Sequence, residues 1–262
     1  MSVKFEELVT SLIDTAPSTE LPEVIESLQT ISGASKSTID DAVAEYIKTH
    51  PIAISDYIIS SLNKDSHSLK YIDYVKGEKF SFDVAKQAII DVEPYSPEVP
   101  IDSKLVDKLQ QYGDDYFQDY TFTIVPKSKD SYTIVIIGEK LNKGNFYTGK
   151  WHSQYQVSNN EITGAIDLDI HYFEDGNVRL KYTESNVSNA EHGNSVSSVS
   201  DVVNFINQAD NAVELKLLDQ FQHLNQQSFK TLRRLLPVTR SKINWGSAIG
   251  NYRLGSDVVN KQ

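Results

Sequence analysis

The sequence predicts an α+β fold, and three observations carry that expectation. Apolar residues near the N-terminus recur at helical spacing, the period changes to two between Tyr120 and Tyr182, and one long helical stripe runs from Val202 to Leu235. Steps of three and four put side chains on one face of a helix, whereas strict alternation puts them on one face of a strand. Strands grouped in succession and followed by a single long helix form no βαβ repeat, so the natural sheet is an antiparallel meander.

Residues 1–60 read as a bundle of short helices. Phe5, Leu8, Val9, Leu12 and Ile13 form the first stripe, closed by Pro17, because the residue before a proline is pushed out of the helical region. Glu20-Leu21-Pro22 opens a second helix with Val24, Ile25, Leu28 and Ile31 on its face and Gly33 at its end. Ser37-Thr38-Ile39-Asp40 resembles a capping box for a third, which continues through Val43, Tyr46 and Ile47. Residues 61–118 read as a small middle region. Leu69 to Val75 and Lys79 to Phe82 flank Lys76-Gly77 as strands, Pro94 to Pro100 is irregular, and Leu105, Leu109, Tyr112 and Tyr116 mark a helix whose end Gly113 leaves open.

Residues 119–198 carry about five strands. Phe122 and Ile124, then Tyr132, Ile134 and Ile136, then Trp151, Tyr155 and Val157 alternate, and Glu174-Asp175-Gly176-Asn177 separates two further runs as a hairpin signal. Residues 185–200 are rich in Ser and Asn and read as a loop. A helix over 199–236 follows, with Val202, Ile206, Ala209, Val213, Leu217, Phe221, Leu224, Ser228, Leu232 and Leu235 on one stripe, ended by Pro237. Such a helix spans roughly 55 Å, long enough to cross a wide sheet or reach a second subunit. Residues 237–262 form a separate amphipathic tail.

The composition suits a packed cytosolic domain: 39% hydrophobic and 23% charged residues, no cysteine, and neither a signal peptide nor a membrane span in view. The absence of cysteine excludes disulfides, cysteine-ligated metals and a thiol nucleophile. The net charge of −11 is uneven. Residues 230–262 carry +6 and the rest −17, an acidic body with a basic end suited to an acidic partner. Catalytic motifs are missing: there is no P-loop, GxGxxG, HExxH, EF-hand loop or GxSxG, and the six histidines show no ligand-like spacing. The chain reads as a non-enzyme with no cofactor and no metal. His171 reads as an ordinary strand histidine, and the aromatic cluster Phe146 to Trp151 as sheet core.

Three segments are more specific. Leu232-Arg233-Arg234-Leu235-Leu236-Pro237-Val238-Thr239-Arg240-Ser241-Lys242-Ile243-Asn244-Trp245 resembles a signature of the F-actin-capping protein alpha subunit family. Asn145-Phe146-Tyr147-Thr148-Gly149-Lys150-Trp151-His152-Ser153 is similar to the family's second signature, and His171-Tyr172-Phe173-Glu174-Asp175-Gly176-Asn177-Val178 to its hairpin. The resemblance is carried by residues 120–254. It implies an N-terminal helical bundle, a five-strand antiparallel sheet covered by one long helix, and a C-terminal tentacle. It also implies pairing with a beta subunit into a heterodimer whose sheets join, and calcium-independent capping of the actin barbed end in cytoplasmic, cortical actin structures. Phosphoinositides and regulators of the CARMIL and myotrophin types are implied as further partners, and nucleic acid is not expected.

The same segment has a physical logic. Lys230, Arg233 and Arg234 sit at i, i+3 and i+4 near a helix C-terminus, where cations are favoured, and Arg240 and Lys242 extend the basic surface. Trp245, Ile249 and Tyr252, with Leu254 nearby, form an apolar stripe that Gly246 and Gly250 weaken. The Trp-to-Tyr spacing is one residue longer than in the family's animal-type pattern. These residues are the expected actin-binding set. The alternative for the basic segment is a phosphoinositide-binding module at a membrane surface.

Overall fold

The computed structural model describes residues 4–223, apart from 18, 129, 143, 145, 160, 174–177 and 190–195. The chain up to Asp210 forms one compact unit, and a second begins at Asn211.

Helices α1 (Phe5–Asp14), α2 (Leu21–Ser32) and α3 (Lys36–Thr49) open the chain. Pro22 lies in the first turn of α2, and Gly33 ends it at φ 63°, a left-handed conformation that glycine adopts without Cβ strain. The cap of α3 is Ser35 rather than the expected Ser37, since the Ser35 hydroxyl accepts the Thr38 N–H. Val9, Ile13, Leu21, Ile25, Ile39, Val43, Tyr46 and Ile47 share one core with Phe80 of the neighbouring sheet. Only part of the first stripe is used, because Phe5, Leu8 and Leu12 stay 43–49% exposed.

Helix does not continue to residue 60. Ile52–Ile54 (β1) and Tyr57–Ile59 (β2) form an antiparallel hairpin with Ile54 opposite Tyr57. Both loop residues are left-handed, Ser55 at φ 47° and Asp56 at φ 63°. That tight loop usually advertises itself as Asn-Gly or Asp-Gly, and Ser-Asp does not. A three-strand sheet follows: β3 (Tyr71–Asp73), β4 (Glu78–Asp83) and β5 (Ala88–Pro94), in that order. The strand before Pro94 went unread in the sequence. Helix α4 (Ser103–Tyr116) is capped by Asp102, whose carboxylate accepts the Lys104 N–H at 2.9 Å. It runs through Gly113, where a Cβ would fall 1.9 Å from the Tyr120 ring, so this glycine admits a close approach and does not end the helix.

Strands β6 (Tyr120–Ser128), β7 (Ser131–Asn142), β8 (Tyr147–Ser158), β9 (Glu161–Tyr172) and β10 (Val178–Ser188) form the expected antiparallel meander, ordered β10-β9-β8-β7-β6. Ile124, Ile134, Tyr155 and Gly164 lie side by side across four strands. Ile134, Ile136, Tyr155 and Ile166 are buried on that face. Residues between them point to the other face, where Glu139, Lys150, Asp169 and Lys181 line up. The stretch read as a loop from residue 185 is still strand to Ser188, and the Asn189 side chain accepts the Ile162 N–H at 3.0 Å.

The long helix α5 (Val199–His223) starts where the Asp201 carboxylate accepts the N–H groups of Ser197 and Ser198. Val202, Phe205, Ile206 and Ala209 are buried along its first half, and Val213 and Leu217 continue the buried stripe. The expected continuation to residue 236 and the amphipathic tail lie outside the described residues.

Candidate functional site

All the residues expected to contact a partner filament, Lys230, Arg233, Arg234, Arg240, Lys242, Trp245, Ile249, Tyr252 and Leu254, lie outside the described residues. What can be built is the platform that precedes them, with a different chemistry on each face of the sheet.

On the first face, α5 meets the sheet through Phe205, whose ring stands edge-on to Tyr155 at 6.3 Å. One turn later comes Asp210, fully buried. Tyr155 from β8 donates to one of its carboxylate oxygens at 2.7 Å, and Tyr112 from α4 donates to the other. Burial, followed by the adjacent Asp210 charge, pushes both phenols well above their usual range, so each remains a donor at any physiological pH. A buried acid satisfied from two elements at once fixes the angle and register at which α5 crosses the sheet, because sliding either way strands a polar group away from water.

The second face carries polar joints to the N-terminal helices. Arg179 on β10 donates to the Asp169 carboxylate from Nε at 2.8 Å and from its terminal nitrogen at 2.5 Å. It also donates to the carbonyls of Thr15 and Ala16, just after α1. Glu20, just before α2, accepts from Thr148 at 2.9 Å and lies 2.6 Å from His171 Nδ1. Lys150 is 6% exposed and donates to the Pro51 carbonyl at the end of α3. Burial lowers its ammonium to about 8, with Glu139 and Asp169 opposing that shift. His171 is therefore the half-buried strand histidine expected, with a definite partner.

Strands β6 and β10 are the two edges of the sheet, and neither has a hydrogen-bonded strand on its outer side among the described residues, although β2 and β3 approach β6.

Sequence reading overlooked Asp210, Arg179 and Glu20. Asp210 did leave a signal: it is an acid set into the apolar stripe between Ile206 and Val213. Arg179 and Glu20 left none, since the contacts that join them across the two elements, to Thr15 and Ala16 and to Thr148 and His171, span more than a hundred residues. Among the described residues no group of His, Asp and Glu is arranged to hold a metal, and no helix is long and apolar enough to cross a membrane.

Comparison with known proteins agrees with this architecture. The family model for the F-actin capping protein alpha subunit matches residues 9–257, nearly the whole chain. The F-actin-capping protein subunit alpha of Candida albicans is 50% identical over 280 aligned positions, covering all of both chains. That of Saccharomyces cerevisiae is 38% identical, with 98% of each chain covered. The solved homodimeric actin capping protein alpha subunit from Plasmodium berghei superposes with a TM-score of 0.61 over 83% of this chain and 90% of its own, at 20% identity, a likeness of fold. With its motifs, its sheet and its length all accounted for, the chain belongs to the F-actin capping protein alpha subunit family.

Proposed function

We propose that this chain is the alpha half of a heterodimer that caps the barbed end of actin filaments without calcium and blocks subunit exchange there. The family match carries the reading, because it extends to residue 257 and so includes the basic and amphipathic segment that would meet actin. The open outer edge of β10 supports pairing with a beta subunit, since an unpaired strand edge is a template for sheet continuation. The surplus of positive charge in residues 230–262 supports steering toward an acidic filament end. Residues 237–262 act in this scheme as a separate segment that holds on by apolar contact, the role of Trp245, Ile249, Tyr252 and Leu254. The protein would act in the cytoplasm on actin structures and perform no catalysis.

The test begins with co-purification of the chain with a beta subunit, followed by seeded actin elongation. Replacing Lys230, Arg233 and Arg234 together by Ala should leave the heterodimer intact and slow capping about tenfold at low salt, with the difference shrinking as salt rises. Capping by the triple variant at the unaltered rate across the salt series would refute docking through this patch. Failure to recover any beta-subunit complex would refute the heterodimer.

A further inference from the structure

Where the end of α3 meets β8, β9 and β10 there is a cavity of about 140 Å³, walled in part by His50, Lys150, His152 and Lys181. That volume holds roughly four or five waters, the space of one five-atom oxyanion. We propose that this cavity binds a single phosphate group, held by Lys150 and Lys181.

Acids also border the cavity, but they are engaged. Both Asp169 oxygens accept from Arg179. Asp167 is bonded by His152, 3.4 Å away through Nδ1, and by Thr183. The cations are not matched in the same way. The partner of Lys150 is a neutral carbonyl, that of Pro51, which satisfies one N–H without cancelling the charge. Glu139 stands beside it on β7 and acts on it through charge, and burial raises the pKa of that carboxyl. Lys181 has no carboxylate within ion-pair distance among the described residues. His152 has given Nδ1 to Asp167, and its buried Nε2 has no hydrogen-bond partner.

The charges of both lysines act on the wall of the cavity. The His50 imidazole is held below its usual range, first by burial and then by the charge of Lys181, with Lys150 adding to it and Asp14 of α1 opposing. The two carboxylates on the wall are offset by Lys150, Lys181 and the Arg179 bonded to Asp169. A buried ammonium bonded only to a neutral carbonyl keeps further N–H groups to satisfy, and an oxyanion with several acceptor oxygens meets them together with Lys181. Binding should favour the protonated form of Lys150. Affinity then falls as pH rises through about 8, where Lys150 loses its proton.

The experiment is calorimetric titration of inorganic phosphate into the full-length chain co-produced with a beta subunit, at about pH 7 and about pH 9. Saturable binding is expected. It should weaken roughly tenfold or more in Lys150→Met and in Lys181→Ala, weaken at the higher pH, and persist when Lys230, Arg233 and Arg234 are all Ala. Lys181 is exposed on a strand, so its Ala variant should fold even if loss of Lys150 disturbs the joint with α3. Vesicles containing an inositol phospholipid, titrated in parallel with and without free phosphate, separate the sources. Vesicle binding that phosphate competes away through Lys181 identifies a lipid headgroup, and its absence leaves a soluble phosphate. Lack of saturable phosphate binding, or binding unchanged in Lys181→Ala, overturns the proposal.

Discussion

The sheet face beneath α5 and the face toward the N-terminal helices are built from alternate residues of the same five strands, yet they hold their neighbours by opposite means. Under α5 the contact is apolar, with Tyr155, Ile134, Ile136 and Ile166 almost free of solvent and a single buried acid, Asp210, setting the register. On the other face Val135 and Ile137 are buried against Ile58 of β2, and the joints to the N-terminal helices are ionic or polar: Arg179 to Asp169, Glu20 to His171, Lys150 to the Pro51 carbonyl. Apolar burial supplies stability without direction, whereas desolvated polar groups tolerate only the geometry that satisfies them. The first face should therefore dominate stability, and the second should make it depend on pH.

That contrast can be broken at named positions. The largest effect should come from Tyr155→Ala, which removes a fully buried ring and one donor to Asp210 and should cost about 4 kcal/mol in denaturant unfolding. Asp210→Ala should cost about 3 kcal/mol by leaving two buried phenols without an acceptor. Adding Tyr112→Phe and Tyr155→Phe to that variant should recover much of the loss, and failure to recover it would mean that Asp210 acts otherwise than as the shared acceptor.

On the polar face the sign can change. Lys150 has its pKa lowered from 10.5 to about 8 by burial. Below pH 8 the folded state bears the full cost of a desolvated ammonium. Between pH 8 and 10.5 the unfolded chain binds more protons than the folded one, so this contribution to stability rises with pH. Lys150→Met should accordingly be more stable than the parent near pH 7 by about 2 kcal/mol, after allowing for the hydrogen bond to Pro51. Its advantage should shrink as pH climbs through that window, as followed by thermal melts at a series of pH values. The smallest effect should be Arg179→Met, about 1.5 kcal/mol, because the ion pair is only partly buried. Its clearer readout is faster amide exchange at Thr15 and Ala16, whose carbonyls Arg179 ties to the sheet.

Much of this architecture is legible along the chain. The period-two runs mark the central sheet, and the Val202–Leu217 stripe marks α5, because burial on one face of a regular element imposes a repeat on the sequence. The β1–β2 hairpin escaped because its strands are only three residues each and its Ser-Asp loop lacks the glycine that usually accompanies left-handed backbone. The candidate phosphate cavity escaped as well. Its walls come from His50, Lys150, Asp167 and Lys181, and no local spacing relates residues drawn from a helix end and three strands.

The sequence by itself determined the fold class, the family and the basic charge of residues 230–262, since each rests on local periodicity, contiguous motifs or composition. Tertiary structure alone decided which half of the α1 stripe is buried, Val9 and Ile13 rather than Phe5, Leu8 and Leu12. It alone made Asp210 a shared acceptor for two tyrosines, and it alone gathered Lys150, His152 and Lys181 around one cavity. The reason is physical: periodicity reports that a residue has an inward face, but the groups it meets there are set by chain crossings dozens of residues apart.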